Sequence, residues 1–402
     1  MNAQRPLERN IRIYYFFNTV LAAAFVVGNW IFVWLRVMSN QQVGIVDAIA
    51  FAFGLVMEVP TGAVADLLGK RGTMIAAMFL AGAGWIIMGT GDTLTQLLLG
   101  FLVSQTGWAF YSGAAEALVY DSLVEMDQVG RFEQVISRGH SLHLVANVAA
   151  TLIGGVMYLI HFRLPHLAWG GLHMFGFLAA FWLIEPKVAH IPFSWAAYRN
   201  QLAQGFRQLW QPALRYYIPL FFATTGVGFI ITIGLVQYVM AIAYGYGANE
   251  QAILFAITGL AASGAVLFVP RIRRRFSDFH SLLLVAALLL IALLVSAFPL
   301  GLLAGGAVLL FLRVVISLSQ PIASILVNSA IPSEYRATTI STMALITKIP
   351  YIFTAVIAGV LAERGQIGVF NLWMAGGIFV LTLISMVWSS YFRPRSSIAL
   401  ES

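Results

Sequence analysis

The chain has 402 residues, 60% of them hydrophobic and 10% charged, with a net charge of +7 and no cysteine. Soluble domains carry about 25% charged residues, so this composition excludes an ordinary soluble enzyme. The lack of cysteine excludes disulfides and thiolate metal sites.

Apolar runs of about 20 residues, the length a helix needs to cross a bilayer, recur from one end to the other. Helix 1 is expected over about 12–36, behind Arg5, Arg9 and Arg12. Its apolar run, Ile13 to Leu35, is too long for the core of a signal peptide, so it reads as a retained helix. It carries Asn18, Asn29 and Trp30. Helix 2 is expected over about 43–66, with Asp47 and Glu58 close to three turns apart and therefore on one face. Helix 3 follows over about 73–91. Helix 4, over about 94–124, has Glu116 and Asp121 near its far end. Helix 5, over about 134–161, holds His140, His143, Asn147 and the pair Gly154–Gly155, and helix 6 covers about 167–185.

Residues 186–213 break the pattern and divide the chain into nearly equal parts, 1–185 and 214–402. Leu202, Phe206, Leu209 and Trp210 recur there at helical spacing among Arg199 and Arg207, which predicts an amphipathic helix on the cytoplasmic face. Helices 7 to 12 are expected over about 214–244, 249–270, 280–299, 302–331, 337–362 and 367–391, with bends at Pro321 and Pro350. Of the 23 Lys and Arg, Arg36, Arg163 and Arg364 alone fall on the outer side, and Arg313 and Lys348 fall within spans. The remainder lie on the side of both termini, which is thereby cytoplasmic, with an even number of spans. The basic balance therefore reflects orientation in the membrane and not a nucleic-acid partner.

The loop between helices 2 and 3 reads Gly62-x-x-x-Asp66-x-x-Gly69-Lys70-Arg71. Its glycines permit close backbone approach, its basic pair marks the cytoplasmic side, and Asp66 at the membrane edge needs a donor or cation. This stretch resembles the signature loop of the major facilitator superfamily of secondary transporters. Arg271-Ile-Arg-Arg-Arg275 holds the equivalent place in the second half, without the Asp and Gly. Leu118-Val119, Arg131, Ser137 and Gly154 recur at similar spacing as Leu326-Val327, Arg336, Ser341 and Gly359, a weak internal repeat that fits parallel halves. The resemblance implies an all-α membrane fold of twelve helices in two six-helix, pseudo-symmetric halves. It also implies that Asp66 and the basic pair form a conformational latch. Two features depart from the proton-linked members: Ala150-Thr151 stands where antiporters carry Gly-Pro before two glycines, and Leu102 stands where many have a helix-4 arginine.

An intramembrane charge costs about 2.5–3.5 kcal/mol on insertion scales, so each needs a reason. Gly62, Asp66, Gly69, Lys70 and Arg71 form the expected latch, together with Glu116, Asp121 and Arg131. Glu58, Glu116 and Asp121 lie toward the same side, with Arg71, Arg131 and Arg138 as expected partners. Asp47, Glu58 and Glu116 are the proton-carrying candidates, since a partly buried carboxylate loads a proton more readily. Arg313 and Lys348 each fall about eleven residues into a helix, near 16 Å depth and so near the midplane of a roughly 30 Å core. They are read either as a cavity patch for an anion or as partners of Asp47 or Glu58. Asn29, Trp30, His143, Asn147, Gln237 and Tyr238 complete the cavity candidates, and Tyr14, Trp108 and Tyr111 are aromatic residues able to line it.

The expected function is secondary active transport, not enzymatic: proton-coupled export of small amphipathic organic compounds by alternating access. The expected partners are a small-molecule substrate and the lipid bilayer, for a monomer in the plasma (inner) membrane. The coupling ion is H+, with no cofactor, and no nucleotide-binding loop is present. The alternatives are transport of an organic anion held by Arg313 and Lys348, and a non-transporting receptor or scaffold on the same fold.

Overall fold

The computed structural model describes residues 4–187 and 194–392, with the side chains of 4, 5, 58–67, 197, 333, 334, 337 and 392 outside that description. Helix forms within every range expected to be helical, and no strand forms among the described residues. Seven helices among them are long and apolar enough to cross a membrane, or nine if each of two bent pairs counts as one span. Three expected helices fall short of that mark. Helix 1 is split into Gln4–Ala22 and Trp30–Trp34, and helix 6, Leu164–Ala180, has 17 residues. Helix 4, Leu94–Glu125, is diluted by Ser104, Gln105, Thr106, Ser112, Glu116 and Asp121.

Helices 2 and 3 run as one helical stretch, Asn40–Thr90, interrupted at Gly69 with φ +71°. That left-handed conformation is costly for any residue with a Cβ. Pro350 separates Ser333–Lys348 from Pro350–Glu363, as expected, whereas Leu302–Ala330 passes through Pro321 as a single helix. The sharpest bends arise elsewhere. Helix 7 turns by 64° between Thr232 and Leu235, and helix 8 by 46° between Val266 and Val269.

The chain divides into two compact units. The first comprises Met1–Ser39, Ile49–Ser194 and Gly247–Ala256. Its core repeats at helical spacing: Leu7, Ile11, Tyr14, Phe17 and Leu21 of helix 1 meet Met74, Ala77 and Met78 of helix 3 and Ala114, Leu118 and Val119 of helix 4. Small residues bring backbones together, as where a Cβ on Gly84 would stand 2.5 Å from the Gly100 carbonyl.

The second unit comprises Asn40–Ala48, Trp195–Tyr246 and Ile257–Ser402. Helix 9, Asp278–Ser296, packs between helices 10 and 12 through Leu282, Val285, Leu289 and Leu293, all buried. The linker helix, Trp195–Leu209, lies against Ser333–Lys348. The expected apolar stripe divides there: Leu209 is buried, while Phe206 and Trp210 are exposed. Gly205 takes the packed position instead, because its missing side chain lets the helix approach Thr342.

Candidate functional site

Three groups of polar residues are placed by this architecture. The first surrounds Gly69. Because helix 3 begins after this break, the amides of Lys70 and Arg71 have no partner in the preceding turn. The Glu185 carboxylate accepts from both, at 2.7 Å each, and sits where a helix N-terminus favours negative charge. A Cβ at Gly69 would lie 2.9 Å from that carboxylate. The Lys70 ammonium pairs with Asp121, and Arg71 donates to the Phe181 carbonyl at 2.9 Å.

This corrects the expected pairing. Asp121 is held by Lys70 and not by Arg71, Arg131 or Arg138. Arg131 belongs to a separate pair, donating to both carboxylate oxygens of Glu8 at 3.0 and 3.1 Å. Glu185, the residue that organises the break, was missed. Its signal was a carboxylate directly before Pro186 at the end of helix 6. Glu58, Gly62 and Asp66 lie within the helical stretch, and their side chains fall outside the described residues.

The second group surrounds the break of helix 7, within the second unit. Breaking a helix frees backbone groups that need new partners. The Thr232 carbonyl receives the Gln237 side-chain amide. The backbone of Leu235, at the start of Leu235–Ala243, lies beside the carboxylate of Asp47. Asp47 is only 7% exposed and also receives the hydroxyl of Tyr351. Gly234 makes this possible, because a Cβ there would overlap the Tyr351 hydroxyl and lie 2.5 Å from the carboxylate.

Asp47 was expected as a proton carrier or as the partner of Arg313 or Lys348; the structure buries it. Neither Arg313 nor Lys348 pairs with it. The Lys348 ammonium stands 5.2 Å over the ring of Phe229, and that ring packs edge-on to Tyr351. Arg313 has Tyr238 as its electrostatic neighbour and no hydrogen bond or ion pair among the described residues. The two cations thus share a unit with Asp47 without neutralising it.

The third group lines a cavity of about 330 Å³ within the first unit. Helix 4 supplies Trp108, Tyr111, Ser112, Ala115 and Glu116, spaced i, i+3, i+4, i+7 and i+8 and so on one face. Helix 1 supplies Tyr14, Asn18 and Leu21, and helix 5 supplies His140 and His143. Three other cavity candidates are absent from this lining and make contacts elsewhere. Asn147 donates to the Ala22 carbonyl, and Asn29 donates to the Phe25 carbonyl in the turn between Ala22 and Trp30. Trp30 packs edge-on against Trp34.

The model of the Major Facilitator Superfamily matches residues 13–355. No curated protein matches the chain. Among solved structures, the nucleoside transporter NupG superposes with a TM-score of 0.73 at 13% identity, covering 96% of this chain and 99% of that one. A bacterial homologue of the iron transporter ferroportin gives 0.71 at 15% identity, with 97% and 100% covered. A bacterial homologue of the human lysosomal transporter Spinster gives 0.68 at 15% identity, with 96% of each chain covered. At these identities the likeness extends to the fold.

Proposed function

The chain belongs to the Major Facilitator Superfamily, a multi-pass, non-enzymatic secondary transporter working by alternating access, and from that premise we propose that it exports small amphipathic organic compounds in exchange for protons. The proposal includes the division into 1–185 and 214–402 around a cytoplasmic linker, and residence in the plasma membrane as a monomer with both termini inside. The solved relatives differ in the cargo that their names record, so the cargo of this chain is read from its own residues.

One observation carries proton coupling. Asp47 is buried, its hydrogen-bond partner is the Tyr351 hydroxyl, and no cation pairs with it among the described residues. A buried carboxylate without a countercharge is neutralised most cheaply by a proton. The break in helix 7 ties this carboxylate to an element built to bend, which is how a proton would bias a conformational change.

The test uses proteoliposomes and a fluorescent amphipathic substrate. An imposed pH gradient should drive accumulation by the wild type. Asp47→Asn keeps the acceptor for Tyr351 but carries no titratable proton, so downhill exchange should persist and gradient-driven accumulation should disappear. Accumulation retained in Asp47→Asn would overturn the assignment. Arg313 and Lys348 favour a second reading, an organic anion as cargo, because no carboxylate neutralises them among the described residues. Stabilisation of the purified protein by organic anions, lost in Lys348→Ala, would put that reading first.

A further inference from the structure

We infer that the cavity of the first unit is a binding site for an organic cation, an amine or quaternary ammonium carrying an aromatic ring. The inference rests on the transport reading above and narrows its substrate class. Three observations point the same way.

The first is charge. Among the described residues no Lys or Arg lines the cavity, and the titratable groups there are Glu116, His140, His143, Tyr14 and Tyr111. Glu116 is the only carboxylate among these lining residues, and it has no ion-pair partner among the described residues. An anion there would face a carboxylate with no lysine or arginine beside it among the described residues.

The second is aromatic surface. Trp108 and Tyr111 stack with centroids 6.2 Å apart and planes 28° from parallel, and Tyr14 lines the wall from helix 1. Ring faces attract cations as well as other rings. A volume of about 330 Å³ suits a small ligand, at the lower end of pocket sizes.

The third is an unsatisfied group. Tyr111 is 9% exposed, and its hydroxyl is buried without a hydrogen-bond partner among the described residues. Buried hydroxyls rarely go unpaired, and this one belongs to a residue of the cavity wall. An ammonium N–H would satisfy it. Carboxylate, hydroxyl and stacked rings are together the set that recognises an aromatic amine.

Binding is measured on the purified full chain in detergent, by calorimetry and without a proton gradient. The probes are benzylamine, benzyltrimethylammonium, the neutral isostere neopentylbenzene and benzoate. Both cations should bind, with neopentylbenzene and benzoate much weaker. Glu116→Gln should weaken both cations by at least about tenfold, as expected for loss of a charged partner. Tyr111→Phe should weaken benzylamine more than the quaternary ion, which has no N–H to give. Trp108→Leu should weaken both without altering charge.

Equal binding of neopentylbenzene, or unchanged affinity in Glu116→Gln, overturns the inference. If Glu116→Gln fails to fold, the outcomes for Tyr111→Phe and Trp108→Leu decide, and unchanged affinity in both overturns it. The transport reading fails separately: cations that bind the cavity but are never moved across proteoliposome membranes would leave the site standing and remove the function. Cation transport with affinity unaffected by Glu116→Gln would do the reverse.

Discussion

Gly234 has no room for a side chain, since a Cβ would enter the space of the Tyr351 hydroxyl and the Asp47 carboxylate. Tyr351 is fully buried and has nowhere to move. Overpacking of this kind costs about 1–3 kcal/mol, so Gly234→Ala should lower the melting temperature of the purified protein. A variant that melts with the wild type would show that Tyr351 and Asp47 are not held as described. A gentler effect belongs to Glu8, outside the membrane. The Arg131 guanidinium bonded to it holds its carboxyl below the ordinary 4.5. A lowered folded-state value means that the contribution is full above about pH 4.5 and is lost as pH falls through that lower value. Both side chains are substantially exposed, so the effect is small. Glu8→Gln should be slightly less heat-stable at pH 7, and the gap should close on acidification below pH 4.5. A gap that persists in acid would mean that packing, not charge, was lost.

At the scale of elements, carboxylates recur at helix starts. Glu185 serves the amides of Lys70 and Arg71, and Glu363 accepts from the amide of Asn40 at 2.7 Å. Each satisfies a donor that the helix leaves open and places negative charge against its positive end. The segment 40–48 shows how such contacts align. Asn40 meets Glu363, Gly44 meets Ala355 and Gly359, and Asp47 meets Tyr351. These positions fall at helical spacing on both strips, which makes an antiparallel seam closed by glycine at its middle. The Glu185 cap yields a direct prediction. Glu185→Gln keeps one acceptor, turns an amide toward the other N–H and removes the charge, for a loss of about 1–2 kcal/mol. Thermal unfolding of that variant should fall by several degrees, and an unchanged midpoint would show that the Gly69 break is held by other contacts.

At the scale of the molecule, the membrane fold was legible from the sequence because hydrocarbon leaves few options. A backbone without water must satisfy itself, so apolar runs of spanning length become helices. The Gly69-Lys70-Arg71 break was legible for a similar reason, since a reversed φ asks for glycine and a cytoplasmic edge asks for basic residues. Pro350 marked its break because proline removes a donor. The stronger bend of helix 7 carried no such mark. Gly234 is one of 36 glycines, and what singles it out is Tyr351, more than a hundred residues away in the chain.

The candidate site divides along the same line. Sequence by itself determined which residues are charged within apolar helices, and it placed Trp108, Tyr111 and Glu116 on one face through their spacing. It did not determine partners. Asp121 took Lys70 rather than an arginine, Asp47 took a tyrosine rather than a cation, and Glu185 took two backbone amides. Helical periodicity is a local property and survives in the sequence. The pairing of a charge depends on which helices lie side by side and how deeply, and only the tertiary structure decides that.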